Sequence, residues 1–407
     1  MNSKKYYKRL KQCNKDIELN PNNPVVYYNK GCCLFDIGYS SEIKHQFFFY
    51  NEAINCYNKA ISMNPNYSNA YSNKGCCLLE LGDLSNSKEQ INYYIQAIEF
   101  CDKAINLSSK DSISYSNRGL CLLKLGCLSK GIEQLNYYNN SLESYNKVVE
   151  LNPKSPQSYF DRAGCLIHFA KSSLDENELN YYKKALEDYD VAISLNPDDS
   201  LIHSDRAGCL LEIGKLSKGA EQNEYLSESL DSSNKAIKLD SEDSITYLNK
   251  AGCLSCLGEL ADGKKQVDYY VQAVKFYDKS IEFNSTNSLG HLYKGFILLK
   301  LADLSKGKGQ LNYYNKALES YIKVSELNPN DLILYYSIAC VYALIDRANK
   351  SRDNLTKVLD NLNIIFDLNY FENKENLNGF LEDKDFDHYK DNDSFLEFVA
   401  KVKNFFR

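Results

Sequence analysis

Two adjacent cysteine pairs, Cys32–Cys33 and Cys76–Cys77, are the residues of this 407-residue chain whose types and spacing most invite chemistry. Neighbouring thiols can hold a soft ion such as Cu(I), cycle as a redox couple, or fill space as small hydrophobes. The sequence supplies its own control, because the phrase around them recurs. "YNKGCCLFDIG" at 28–38 returns as "YSNKGCCLLELG" at 71–82, "YSNRGLCLLKLG" at 115–126, "FDRAGCLIHFA" at 160–170, and so on to "YYSIACVYALID" at 335–346. One aligned column reads Cys33, Cys77, Cys121, Cys165, Cys209, Cys253, Ile297, Val341. A cysteine that exchanges with isoleucine and valine is a packing residue. The adjoining column, Cys32, Cys76, Leu120, Gly164, Gly208, Gly252, Phe296, Cys340, keeps no ligand type. Zinc would ask for CxxC spacing or histidine partners, and the five histidines do not follow the cysteines. The expectation is packed thiols, no metal and no cofactor.

Other chemistry is equally thin. There is no GxGxxG, P-loop, HExxH or GxSxG motif, and His168, His203 and His291 fall in different columns. Asp383, Asp385 and Asp387 hint at a calcium loop, but the turn glycine is missing and Ser394 stands where the bidentate glutamate belongs. Catalysis is not expected. A net charge of −6 without a basic stripe argues against nucleic acid. No apolar run reaches the length of a membrane span, and the polar start "MNSKKYYKRLKQ" lacks a signal-peptide core. The expected location is cytoplasmic, where the fourteen cysteines stay reduced.

The elements behind these columns follow from the period. Gly31, Gly75, Gly119, Ala163, Ala207, Ala251, Gly295 and Ala339 are each 44 residues apart. So strict a step marks a solenoid of repeated units. A second phrase, such as "YYKKALEDYDVAISLNP" at 181–197, keeps the same register. Its small column (Ala53, Ala97, Ser141, Ala185, Ser229, Ala273, Ala317) precedes by four residues a mostly aromatic one (Tyr57, Cys101, Tyr145, Tyr189, Ser233, Tyr277, Tyr321). A further small column follows three residues on (Ala60, Ala104, Val148, Ala192, Ala236, Ser280, Val324). Spacings of three and four share one helix face, and "LNP" ends that helix because the residue before proline avoids the α region. Each unit is therefore two antiparallel helices.

The order aromatic, Gly/Ala, Leu, "LG", then Ala, Tyr, Ala, Pro resembles the tetratricopeptide repeat. That motif runs about 34 residues, and roughly ten more lie here between "LG" and the Ala/Ser column, as in "CLSKGIEQLNYY" at 127–138. They read chiefly as a backward extension of the second helix; the glycines of "LSKG" leave a bulged loop as the alternative. The expected fold is all-α: a right-handed α-solenoid with a leading helix in 1–21, eight helix pairs over 22–370 and a helical cap over 371–407. Phe386, Phe395, Leu396 and Phe398 are expected to close the last groove.

The resemblance also implies where partners sit. Its concave column corresponds here to Asn29, Asn73, Asn117, Asp161, Asp205 and Asn249, then Tyr293 and Ser337. In long arrays of the family such asparagines grip a peptide backbone, since an amide offers both donor and acceptor. The simpler alternative is that they bond local backbone between helices. Asp161 and Asp205 interrupt the ladder above Gly164, Gly208 and Gly252, which suggests room and negative charge for Lys or Arg of an extended partner. The neighbouring cations (Lys30, Lys74, Arg118, Arg162, Arg206, Lys250, Lys294) read as an inter-repeat ion-pair row or a solvated face. The lysines and asparagines that read chaperone tails are missing from their columns. The functional expectation is a non-catalytic scaffold for other proteins. The alternative is self-assembly through outer or end surfaces, using the paired tyrosines (Tyr93/Tyr94, Tyr137/Tyr138, Tyr181/Tyr182, Tyr269/Tyr270, Tyr313/Tyr314).

Overall fold

The computed structural model describes residues 3–173 and 177–405. Residues 1–2 and 406–407, at the ends of the expected leading and capping segments, and 174–176 in the fourth inserted piece lie outside the described residues. The described chain is helical, with no strand. After α1 (Ser3–Leu19), first and second helices alternate. The first helices are α2 (Pro24–Tyr39), α4 (Ser68–Asp83), α6 (Ser112–Leu128), α8 (Pro156–Ser172), α10 (Ser200–Leu216), α12 (Ser244–Glu259), α14 (Ser288–Asp303) and α16 (Leu332–Asn349). The second helices are α3 (Ile43–Met63), α5 (Ser87–Leu107), α7 (Gly131–Leu151), α9 (Asn177–Leu195), α11 (Gly219–Leu239), α13 (Gly263–Phe283), α15 (Lys308–Leu327) and α17 (Leu355–Asp367). First residues of the first helices recur every 44 positions from Pro24 to Leu332. The residue before each tends to be a short polar cap. Asn23, Asp111, Asp199, Asp243 and Asn287 all accept from backbone N–H groups of the first turn, satisfying donors the helix cannot.

The inserted residues mostly lengthen the second helices, which reach 21 residues in α3, α5, α7, α11 and α13. The "LSKG" glycines still matter. Gly131, Gly219, Gly263 and Gly307 have φ between +57° and +66°, at the sharp turn where the second helix begins. That left-handed conformation is open to glycine at little cost.

Small columns set the helix spacing. Ala53, Ala97, Ser141, Ala185, Ser229, Ala273 and Ala317 are all fully buried. A Cβ on Gly31 would fall 2.5 Å from the Tyr57 ring, and one on Gly126 would run into Tyr138. The second tyrosine of each expected contact pair is thus used inside the repeat: Tyr94, Tyr138, Tyr182, Tyr270 and Tyr314 are only 2–3% exposed.

The chain divides into two compact units, Met1–Pro197 and Asp198–Arg407. In the first, α2, α4 and α6 touch in succession; in the second, α10, α12 and α14 do. Each unit thereby presents a face made of first helices. The second unit ends in α18 (Lys374–Glu382), a 3-10 stretch (Lys384–Tyr389) and α19 (Asp393–Phe405). Phe371, Phe380, Phe386, Tyr389, Phe395, Phe398 and Val402 pack onto Ala339, Ala343, Val358, Leu362, Ile365 and Phe366. Leu396 departs from expectation: it is 46% exposed, because the helical period turns it away from the Phe395–Phe398 face. The cap is pinned by Asp346, fully buried, which accepts from Tyr389 Oη (2.7 Å), Asn354 N (2.9 Å) and Asn354 Nδ2 (2.7 Å).

Candidate functional site

The asparagine column does not act as one uniform ladder. In the first unit Asn29 is exposed. Asn73 turns back toward α2, its Nδ2 donating to Tyr28 Oη (3.2 Å) and Cys32 Sγ (3.3 Å). Asn117 differs, because its Nδ2 is buried and has no hydrogen-bond partner among the described residues. Asp161, half-buried, accepts from Gln157 Nε2 at 2.7 Å and faces no cation among the described residues. Burial raises its carboxyl above the ordinary aspartate value, and the Gln157 bond lowers it less. Gly164, one turn along, opens on free space. A cavity of about 190 Å³ lies between α2 and α4, lined by Cys32, Phe35, Asp36, Tyr57, Asn73 and Cys76. The fully buried Tyr57 hydroxyl makes no hydrogen bond among the described residues, although Cys32 and Asn73 flank it.

In the second unit Asn249 Nδ2 donates to the Ser204 carbonyl (3.1 Å), so this amide also serves the joint between first helices. Asp205 is half-buried and already partnered. Gly208 and Gly252 do not add room. A Cβ at Gly208 would lie 3.1 Å from Asn249 Nδ2, and one at Gly252 2.9 Å from Leu211 Cδ2. These two glycines let neighbouring side chains in; only Gly164 leaves space empty.

The cation row has a regular role. Lys74 reaches Asn58 (2.7 Å), Arg118 Asp102 (2.8 Å), Arg162 Asn146 (3.1 Å), Lys250 Asn234 (2.6 Å) and Lys294 Asp278 (2.7 Å). Every partner stands sixteen residues earlier, on the preceding second helix. Arg162 also grips Asp188 through two bonds, at 2.8 and 2.6 Å. These cations are structural ties: Arg118 and Lys294 form the expected ion pairs with Asp102 and Asp278, whereas Lys74, Arg162 and Lys250 meet neutral asparagines at the equivalent place.

The cysteine column lies in the core. Cys33, Cys77, Cys121, Cys165 and Cys253 are 0% exposed and Cys209 2%. Burial pushes the Cys165 and Cys253 thiols up to about 12, which keeps them protonated and unreactive. No cysteine is disulfide-bonded. Among the tail acids, Asp383 caps the 3-10 stretch, accepting from Asp385 N (2.9 Å) and Tyr336 Oη (2.6 Å). Cys340, Asp383 and Asp385 do cluster, but the Tyr336 and Asp385 bonds account for Asp383. Column comparison missed one pair: His168 Nδ1 lies 3.4 Å from Cys127 Sγ. Their separation of 41 residues breaks the period, so no repeat alignment places them side by side.

With this geometry in hand, two segments match the sequence profile of the tetratricopeptide repeat, residues 56–89 and 133–155. The chain carries tetratricopeptide repeats. That makes it a protein-interaction scaffold. No curated protein matches it in sequence. Among solved structures it is similar to YrrB, described as a TPR protein with an unusual peptide-binding site, with 18% identity, 57% of this chain and 95% of that one covered, and a TM-score of 0.39. It is also similar to a thermophilic TPR protein of Thermus thermophilus, TTC0263 (17% identity, 55% and 98% covered, TM-score 0.40). A third is a tetratricopeptide repeat protein of Parabacteroides merdae (15% identity, 75% and 96% covered, TM-score 0.46). No helix among the described residues is long and apolar enough to cross a membrane.

Proposed function

We propose that this tetratricopeptide scaffold binds extended, basic segments of partner proteins on the first-helix face of its first unit, and that it does so in the cytoplasm without catalysing a reaction. The observation behind this reading lies on successive first helices: the buried Asn117 amide nitrogen, without a partner among the described residues, and the half-buried Asp161 carboxylate, which bonds Gln157 but faces no cation among the described residues. A buried donor without a partner costs about 1–3 kcal/mol, and a partner carbonyl placed against Asn117 recovers it. A Lys or Arg over Asp161, in the space above Gly164, adds a charge-assisted bond of about 1.5–3 kcal/mol. Asn29 and the cavity at Tyr57 extend the same face.

Fluorescence anisotropy against matched basic and neutral extended peptides tests the proposal. Asp161→Asn is expected to weaken basic peptides about 10-fold and to flatten their salt dependence, leaving neutral peptides unchanged. Asn117→Ala should weaken both sets alike. If neither variant changes binding, this face is not the binding surface.

A second reading has its own observation. Ile43 (75% exposed), Phe48 (61%) and Ile132 (80%) stand near the start of the lengthened second helices of the first unit. Scaffold assembly through that end predicts a mass that rises with concentration in light scattering.

A further inference from the structure

Cys127 is the one exposed thiol among fourteen; the other thirteen are buried or half-buried. It closes the last turn of α6, and two groups from other helices converge on its sulfur. His168 of α8 places Nδ1 at 3.4 Å, and the Tyr138 hydroxyl of α7 donates to Sγ at 3.7 Å. A cavity of about 380 Å³ is lined by Cys127, His168, Gln90, Tyr94, Leu120, Leu123, Lys124 and Leu128. A thiol and a base thus line an open hollow large enough for a small molecule, with the buried Tyr138 hydroxyl against the sulfur.

We propose that Cys127, with His168 as its proton acceptor, is a site of reversible thiol–disulfide exchange with small disulfides. Neutral His168 takes the thiol proton on Nδ1. The Cys127 thiolate attacks one sulfur of RSSR; a Cys127–S–S–R bond forms as the RS–SR bond breaks, and the leaving thiolate takes the proton from the imidazolium. The balance is Cys127–SH plus RSSR giving Cys127–SSR plus RSH, with no other oxidant. Tyr138 steadies the thiolate by donating to it.

The charged surroundings suit this division of labour. Burial, and then the charge of Lys171 along α8, lower the His168 imidazole, so it is neutral and able to accept near pH 7. Lys124 of α6 is paired with Asp83 of α4 at 3.0 Å, and Asp83 also accepts from Tyr94 Oη of α5 at 2.5 Å. The proposal is independent of peptide binding.

Oxidised glutathione is the probe, and intact-mass spectrometry with peptide mapping is the readout. One adduct per chain is expected, on Cys127, removed by dithiothreitol and absent from Cys127→Ser. His168→Gln should react about 10-fold more slowly at pH 7 yet match the wild type within about twofold at pH 9.5, where hydroxide removes the thiol proton without a neighbouring base. Tyr138→Phe serves as a second variant if His168→Gln fails to fold, judged by circular dichroism; it should slow the reaction at pH 7 and leave the mapped site unchanged. An adduct on another cysteine, a wild-type rate in both variants at pH 7, or equal slowing at both pH values would overturn the proposal.

Discussion

Asp161 shows how a binding residue loads the free protein. Its carboxyl is raised by burial, so the folded state disfavours the charged form. The sign follows by linkage. A carboxyl raised on folding costs stability wherever it is ionised, and the cost disappears once the pH falls below the unfolded value near ~3.9. Asp161→Asn should therefore raise the thermal midpoint at pH 7 and leave it unchanged at pH 3; a loss at pH 7 would contradict the assignment. Cys165 tests the opposite type of residue. Its Sγ sits 3.5 Å from Ser141 Oγ, but that hydroxyl already donates to the Gly119 carbonyl at 2.8 Å. Cys165→Val should thus cost under ~1.5 kcal/mol and Cys165→Ala about 1–2 kcal/mol, read by urea denaturation, with peptide binding unaltered. The packing role was legible in the sequence because cysteine trades places with isoleucine and valine in its column. The fate of each asparagine was not. Whether an amide reaches the next helix, as Asn73 and Asn249 do, or stops short, as Asn117 does, turns on distances that identical letters conceal.

At the scale of the helix, the inserted residues raised two possibilities in the sequence, and each describes part of the structure. The apolar spacing of Ile91, Tyr94 and Ile98 carries α5 backward, while a positive-φ glycine shapes the turn ahead of α7, α11, α13 and α15. Period and glycine act on different residues, so neither signal alone gave the boundary. The same stretch delivers the tyrosine that packs on the "LG" glycine. Gly126→Ala should push the Tyr138 ring off its seat, costing about 1–3 kcal/mol by overpacking. Differential scanning calorimetry would read this as a lowered midpoint. An unshifted midpoint would mean that α6 and α7 slide apart freely.

Across the whole molecule, stability is expected to be local, since each repeat meets only its neighbours. The cap makes this testable. Its aromatic residues cover the end of α16 and α17, and Tyr389 supplies one of the partners of buried Asp346. Removing residues 371–407 should speed amide hydrogen exchange in α16 and α17 and leave α2 to α7 protected as before. Uniform loss of protection along the chain would show a single cooperative body instead. The packing of helices in consecutive pairs was legible in the sequence because the period is strict. The pairing of Cys127 with His168 was not, because it joins residues from non-equivalent columns.

The ties reaching sixteen residues back carry a genealogical consequence. Five of the cations bond to the second helix before their own, so the natural module runs from any point to the same point one period later. Loss of residues 112–155 would set Arg162 sixteen places after Asp102, the spacing that Arg118 now occupies. Arrays of this kind can gain or shed whole modules by unequal recombination and rejoin the same bond at the scar. The chain's ancestry by duplication is therefore written in its joints as well as in its letters.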